Sequence, residues 1–247
     1  MLSEEKMDVF PDIAQETRMV VLTGAGISAE SGVPTFRDKD GVWGKYDVMS
    51  VATPEGFARD PGQVWRFYNE RRKQAQCVKP NAGHYALVRL EEFLPEGRFT
   101  LITQNVDHLH RKAGSRNMHH MHGELAKVRC TRCEKVRETL EDLPELPRCE
   151  CGGLLRPHVV WFGEVPFDMD RLFSLVEACD LFLVVGTSGV VHPAAGFVIH
   201  AKRSGATTVG VNLEVPENRG FIDHFYQGKS GEILPRLVEY WARCLIA

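Results

Sequence analysis

Met19-Val20-Val21-Leu22-Thr23-Gly24-Ala25-Gly26-Ile27-Ser28-Ala29-Glu30-Ser31-Gly32-Val33-Pro34-Thr35-Phe36-Arg37-Asp38 sets the architecture of the chain. Its first four residues are a short apolar run with β-branched side chains, which predicts a buried parallel strand. Gly24, Gly26 and Ala29 then fit the relaxed G-x-G-x-x-G/A turn. In that turn the backbone approaches a pyrophosphate closely and a helix N-terminus supplies free N–H groups. The continuation departs from the common pattern. Gly32 and Pro34 stop the helix early, and Thr35-Phe36-Arg37-Asp38 opens a polar loop. A hydride-transfer enzyme would place an acidic residue at the end of a second strand, about 20 residues on. Asp47 stands at that distance, but in Gly44-Lys45-Tyr46-Asp47, which is no apolar strand. A dinucleotide fits the turn; hydride transfer does not fit the loop after it.

Further strand candidates are 99–102, 181–185 and 207–211, with helical patterns at 82–92, 169–178, 194–203 and 233–245. Strands alternating with helices predict a parallel sheet covered on both faces, with ligands at the carboxyl ends of the strands. Three candidates run directly into polar or glycine residues: Thr103-Gln104-Asn105-Val106-Asp107, Gly186-Thr187-Ser188 and Asn212-Leu213-Glu214. Their shared position predicts a common cleft. Two stretches break the alternation. Residues 40–76 read as mostly helical, and 125–156 are polar and proline-rich.

The second stretch carries Cys130-x2-Cys133 and Cys149-x-Cys151 followed by Gly152-Gly153. Two close pairs bring four thiolates to one tetrahedral centre, a soft closed set that zinc favours. Four protein ligands leave no open position for water, so the expected Zn2+ is structural and staples an insertion poor in apolar residues. Cys77, Cys179 and Cys244 are expected to be ordinary core or surface residues.

Bulk properties narrow the class. The 247 residues can bury a sizeable core, and 43% hydrophobic with 26% charged residues is ordinary for a globular protein. A net charge of −3 argues against a broad nucleic-acid footprint. No apolar run approaches the ~18 residues of a membrane span. The N-terminus has no basic region followed by an apolar core, and seven cysteines without a secretion signal predict reduced or metal-bound thiols. The expectation is a cytoplasmic enzyme.

In order, Gly24-Ala25-Gly26-Ile27-Ser28, Gly32-Val33-Pro34-Thr35-Phe36-Arg37, Thr103-Gln104-Asn105-Val106-Asp107, His122-Gly123-Glu124, the cysteine pairs, Arg156-Pro157-His158-Val159-Val160-Trp161-Phe162-Gly163-Glu164 and Gly186-Thr187-Ser188 resemble the sirtuins over about residues 15–240. The resemblance implies an NAD-dependent protein-lysine deacylase of the desuccinylase and deacetylase type, with sirtuin-like mono-ADP-ribosyl transfer as the alternative. It implies an α/β fold in which a Rossmann-like NAD-binding domain (1–39, 77–124 and 157–247) carries a smaller lobe. That lobe consists of a helical insertion (40–76) and a zinc-binding insertion (125–156). NAD would be a co-substrate whose nicotinamide–ribose bond is cleaved, the acyl group passing to ADP-ribose.

Carried over residue by residue, Gly24, Ala25, Gly26 and Glu30 belong to the cofactor turn, and Thr35, Phe36 and Arg37 to the loop over the reacting ribose. Gln104, Asn105 and Asp107 would hold the nicotinamide and its ribose. Gly186, Thr187, Ser188, Asn212, Leu213, Glu214 and Ser230 would line the adenosine side. Asn105 and His122 are the expected catalytic residues, since an imidazole suits proton removal from a ribose hydroxyl at neutral pH. Tyr68 and Arg71, three apart on a helix, share a face and make a receptor for an acyl carboxylate, while Arg72 points about 100° away. Ala52 leaves room for a large acyl group. The peptide is expected along Val159, Val160, Trp161, Phe162 and Gly163, read as an extended run. The partners implied are acylated-lysine proteins, met by a monomer without nucleic acid or membrane.

Overall fold

The structure, a computed structural model, describes residues 10–34, 46–139 and 141–246. Within these residues the chain alternates strands and helices. β1 (Met19–Thr23) leads into α1 (Ala25–Ala29), which is only five residues long. Gly32 sits in the left-handed region at φ +85°, where a residue with a Cβ is strained, so the early helix stop is built into the backbone.

Next come α2 (Val48–Val51), α3 (Pro54–Arg59), α4 (Pro61–Cys77) and α5 (Ala82–Phe93). Each of these four starts on a side-chain cap: Asp47, Thr53, Asp60 and Asn81 accept from Met49, Gly56, Gln63 and Gly83 backbone N–H groups. Proline follows at the first helical position of α3 and α4, where its missing N–H costs nothing. Asp47, the acid at the dehydrogenase distance, is therefore a helix cap.

β2 (Phe99–Thr103), α6 (Leu109–Ala113), β3 (Met118–His120), β4 (Gly123–Cys130), β5 (Val136–Glu138) and β6 (Leu155–Val159) come after these helices. The chain closes with α7 (Met169–Glu177), β7 (Leu181–Val185), α8 (Ala194–Arg203), β8 (Thr207–Asn212), β9 (His224–Gln227) and α9 (Ser230–Ile246).

A parallel sheet of six described strands runs in the order β3-β2-β1-β7-β8-β9. The order reverses at β1, whose neighbours are β2 on one side and β7 on the other, so the crevice of a doubly wound sheet opens beyond Thr23. The register sets Thr23 level with Thr103 and Val185, which brings the segments starting at Gly24, Gln104 and Gly186 to one height. The central strands β1, β2 and β7 are buried throughout, which is why they read as nearly continuous apolar runs. Val21, Leu101, Leu183 and Val209 pack under α5 and α9 with Leu87, Leu237 and Trp241. Val20, Leu22, Phe182 and Val184 pack under α7 and α8 with Leu172, Val176 and Phe197.

The polar stretch 125–156 contains more regular structure than its composition suggests. β4 pairs antiparallel with both β5 and β6 in a three-stranded sheet. Its apolar side joins the helices: Val64, Trp65, Phe67 and Tyr68 share one core with Val128, Leu155, Val159 and Trp161. Trp65 Nε1 donates to Leu155 O at 3.1 Å. The helical and cysteine-bearing segments thus form one smaller lobe. Among the described residues no helix is long and apolar enough to cross a membrane.

Candidate active site

The loops beyond the strand ends are bound to one another. Gln104 Nε2 donates to Thr187 Oγ1 at 3.3 Å, and Asn212 Nδ2 donates to Thr187 O and Glu214 O at 3.1 and 2.8 Å. The Glu217 amide reaches Ser188 O at 3.1 Å. Leu213 is exposed beside them. The glycines of the first turn have a packing reason. A Cβ on Gly24 would come within 2.7 Å of Gly186 O, and one on Gly26 within 2.7 Å of Gly186 Cα, closer than any real contact. The Gly24 and Gly26 amides donate to Val185 O and Gly186 O at 2.9 and 2.8 Å. Of Gly24, Ala25 and Gly26, Ala25 is the one whose amide makes no such bond among the described residues, which leaves its N–H for an anion.

Glu30, expected in the cofactor turn, also reaches the C-terminal helix. Its carboxylate accepts from Ser230 Oγ at 3.1 Å and from the Gly231 amide at 2.8 Å. It therefore caps the positive end of α9 and ties the first turn to the C-terminal helix. Thr35, Phe36 and Arg37 lie outside the described residues.

Beneath the cleft is a polar network that an apolar core would not tolerate unless satisfied. Asn105 Nδ2 donates to Gly24 O and Ser28 Oγ, both at 3.1 Å. Ser28 Oγ donates to Asp107 Oδ2 at 3.0 Å, and Asp107 Oδ1 accepts from the Leu109 amide at 2.9 Å. Ser28, Asn105 and Asp107 are all buried. Sequence reasoning did not single out Ser28, although a serine on the inner face of a five-residue helix was a readable signal. His122 lies just beyond β3, and its Nδ1 is 3.2 Å from Gln104 O. A carbonyl only accepts, so Nδ1 carries the proton and Nε2 keeps the lone pair. Burial lowers the His122 pKa below its ordinary 6.5, against the opposing pull of the Gln104 carbonyl.

The smaller lobe contributes Tyr68 and Arg71 from one face of α4, as their spacing predicts. The Arg71 guanidinium lies 5.8 Å from the Tyr68 ring centre and 5.6 Å from that of Phe67. Burial lowers the Arg71 pKa, offset only in part by Tyr68 and Asp107. Tyr68 is buried, and its hydroxyl accepts from Trp161 Nε1 at 2.9 Å. Arg72 points elsewhere and donates to Thr139 O. Ala52 is buried, and its carbonyl accepts from the Phe162 amide at 2.9 Å.

The stretch read as an extended run is not extended throughout. Val159 ends β6, but the chain then turns over 162–164, with Gly163 at φ +90°. The amides of Val160, Trp161 and Phe162 are committed to His122 O, Glu164 Oε2 and Ala52 O. What curls it is Glu164. Arg156 binds that carboxylate through two nitrogens at 2.6 and 2.9 Å and stacks 3.4 Å from the Trp161 ring centre. An Arg–Glu pair eight residues apart gave no advance sign of this.

The four cysteines converge. Cys130 and Cys151 sulfurs lie 3.5 Å apart, those of Cys133 and Cys149 3.8 Å, and all four fall within 4.8 Å of one another. A tetrahedral zinc with bonds of about 2.3 Å sets its sulfurs about 3.8 Å apart. The donor set therefore fits one structural Zn2+. Backbone N–H groups of Cys133 and Arg132 also favour the thiolate of Cys130, pulling its pKa down to about 6. Since Cys130 and Leu155 belong to the lobe's core, Cys130→Ser is expected to lose the metal and lower Tm by about 10 °C. Metal analysis beside a thermal melt checks this; a metal-free variant that melts like the parent overturns it.

A doubly wound sheet, a glycine turn at its switch point, a buried Asn–Ser–Asp network and a four-cysteine lobe define a class: nucleotide-cleft enzymes with a structural metal lobe. The chain belongs to the Sir2 family, whose model matches residues 24–193. It is 48% identical over 242 residues to a protein of Salmonella typhimurium named NAD-dependent protein deacylase, covering 96% of this chain and 88% of that one. A Shewanella oneidensis protein of the same name is 51% identical over 227 residues, covering 90% and 93%. Among solved structures, a complex of a Sir2 homologue with NAD superposes with a TM-score of 0.86 at 42% identity, covering 93% of this chain and 91% of that one. A Sir2 protein with a deacetylated p53 peptide and 3′-O-acetyl-ADP-ribose gives 0.81 at 34%, covering 92% and 95%.

Proposed function

We propose that this protein is an NAD-dependent protein-lysine deacylase whose acyl pocket favours groups ending in a carboxylate: succinyl, malonyl and glutaryl over acetyl. One observation carries the acyl preference. Arg71 is a cation made less comfortable by burial, beside the Tyr68 phenol and close enough to Asp107 to feel its charge. A ligand carboxylate would offset the remaining penalty, and a guanidinium can bind it through two nitrogens.

NAD, when bound, supplies an ADP-ribosyl group that gives up nicotinamide and accepts the acyl group. Gly24, Ala25 and Gly26 shape its turn. Asn105 and Asp107, braced by Ser28, would hold the nicotinamide ribose, with Gln104 beside them. Gly186, Thr187, Ser188, Asn212, Leu213, Glu214 and Ser230 would form the adenosine side. His122 would take the proton from a ribose hydroxyl. Ala52 and Val159 to Gly163 would receive the acyl-lysine peptide. Since their amides are largely committed, the exposed Phe162 is the main surface left for contact.

This reading divides the chain into an NAD-binding domain (1–39, 77–124 and 157–247) and two insertions (40–76 and 125–156) that share a core. It makes the protein a monomer acting on acylated proteins in the cytoplasm, where seven cysteines without a disulfide are at home.

Incubation with NAD and a succinyl-lysine peptide is expected to release nicotinamide and 2′-O-succinyl-ADP-ribose. ADP-ribosylated protein in their place would indicate mono-ADP-ribosyl transfer. Faster turnover of the acetyl peptide would overturn the acyl preference.

A further inference from the structure

Two imidazoles, two residues apart, hold consecutive carbonyls of the catalytic loop. β3 runs parallel to β2 with His120 opposite Thr103, and the Met121 amide extends the pairing to Thr103 O at 3.1 Å. His122 Nδ1 then meets Gln104 O at 3.2 Å, while His120 Nδ1 meets Asn105 O at 3.3 Å. The Asn105 side chain is fixed separately, through Gly24 O and Ser28 Oγ.

The surroundings of His120 select one tautomer. Asn105 O only accepts, so Nδ1 donates. Nε2 lies 3.7 Å from Glu124 Oε2, and that carboxylate already receives Lys127 and lies 4.0 Å from Arg111. Burial is the largest influence on His120 and lowers its pKa, outweighing Glu124, so the ring is neutral at pH 7 with its single proton on Nδ1. Both His120 and Glu124 have side chains only about a tenth exposed, at 11% and 10%.

We infer that His120 is a positioning residue: its Nδ1–H fixes the Asn105 backbone so that the Asn105 side chain meets NAD in reactive geometry. The inference rests on the reading of Asn105 as a cofactor residue. A misplacement of about 1 Å at a reacting centre costs up to ~10²-fold; the next carbonyl, Val106 O, is held by the Leu125 amide at 2.8 Å, which leaves the Asn105 carbonyl to His120.

Shape-matched substitutions test it. An asparagine amide nitrogen occupies the place of Nδ1, whereas a glutamine amide nitrogen falls nearer Nε2. With the full chain, NAD and an acyl-lysine peptide, His120→Ala is expected to lower kcat/KM for NAD about 10-fold. His120→Asn is expected to stay within about 2-fold of the parent, and His120→Gln to behave like alanine. Zinc content and Tm of the asparagine and glutamine variants should match. A space-filling role predicts the reverse order, glutamine above asparagine. Glutamine equal to asparagine, asparagine as poor as alanine, or alanine at full activity overturns the inference. Asn105→Ala separates the two readings. If it lowers turnover to a low but measurable level, adding His120→Ala should cause no further loss, and a further 10-fold loss overturns the inference. If Asn105→Ala is near normal, the role of Asn105 falls, and the reason to position it falls with it.

Discussion

Replacing His122 by phenylalanine is expected to lower deacylation about 10³-fold while NAD still binds. The magnitude is that of losing a general base. The selectivity comes from geometry. Among the described residues the imidazole makes one polar contact, to Gln104 O, and no side chain of the Asn105–Ser28–Asp107 network depends on it. Phenylalanine keeps the ring's bulk and removes only the nitrogen pair. Steady-state turnover beside NAD titration by calorimetry decides it; near-normal turnover would remove His122 from the chemistry. The parent's pH profile gives a second check. The base works neutral, and burial disfavours its charged form, so its pKa is below 6.5. Activity should persist at pH 6.5 and fall only as the pH drops through that lower value, giving an acid limb in kcat/KM below 6.5.

Arg71→Met is expected to cost at least about 30-fold in kcat/KM on a succinyl-lysine peptide and about 3-fold or less on an acetyl one. Losing one partner of a desolvated charge pair costs about 2–5 kcal/mol, the lower end of which is about 30-fold. A methylene in an apolar pocket is worth only about 1–3 kcal/mol, so chain length is the weaker discriminator. Methionine keeps the length of the Arg71 stem and its contact with the Phe67 and Tyr68 rings. For a neutral acetyl group the change also removes a buried cation that the acetyl group cannot satisfy, which offsets part of the loss. Equal losses on both peptides would refute the pocket.

The glycine turn and its flanks show how much a sequence discloses. The apolar run at β1, its break at Gly24 and the left-handed stop at Gly32 are local, and local rules read them. The cysteine spacing worked for the same reason, since four thiolates have few uses but a metal. The smaller lobe's sheet escaped because β4, β5 and β6 sit in a polar segment and bury one face only against distant helices. The turn at Phe162 escaped because Arg156 and Glu164 are informative as a pair only when Trp161 lies between them. Glu30 escaped because its partners, Ser230 and Gly231, are some 200 residues away along the chain.

The order of strands and helices, the glycine turn, the metal set and the shared face of Tyr68 and Arg71 are properties of short windows. Backbone conformation and spacing alone fix them. Which polar groups meet at the strand ends is set by register: Thr23, Thr103 and Val185 stand level only once β1 lies between β2 and β7. That alignment places His120 and His122 on the carbonyls of Asn105 and Gln104, and it turns Gly186 against Gly26. Neighbours along the chain decided the elements; neighbours across the sheet decided which of their side chains can act together.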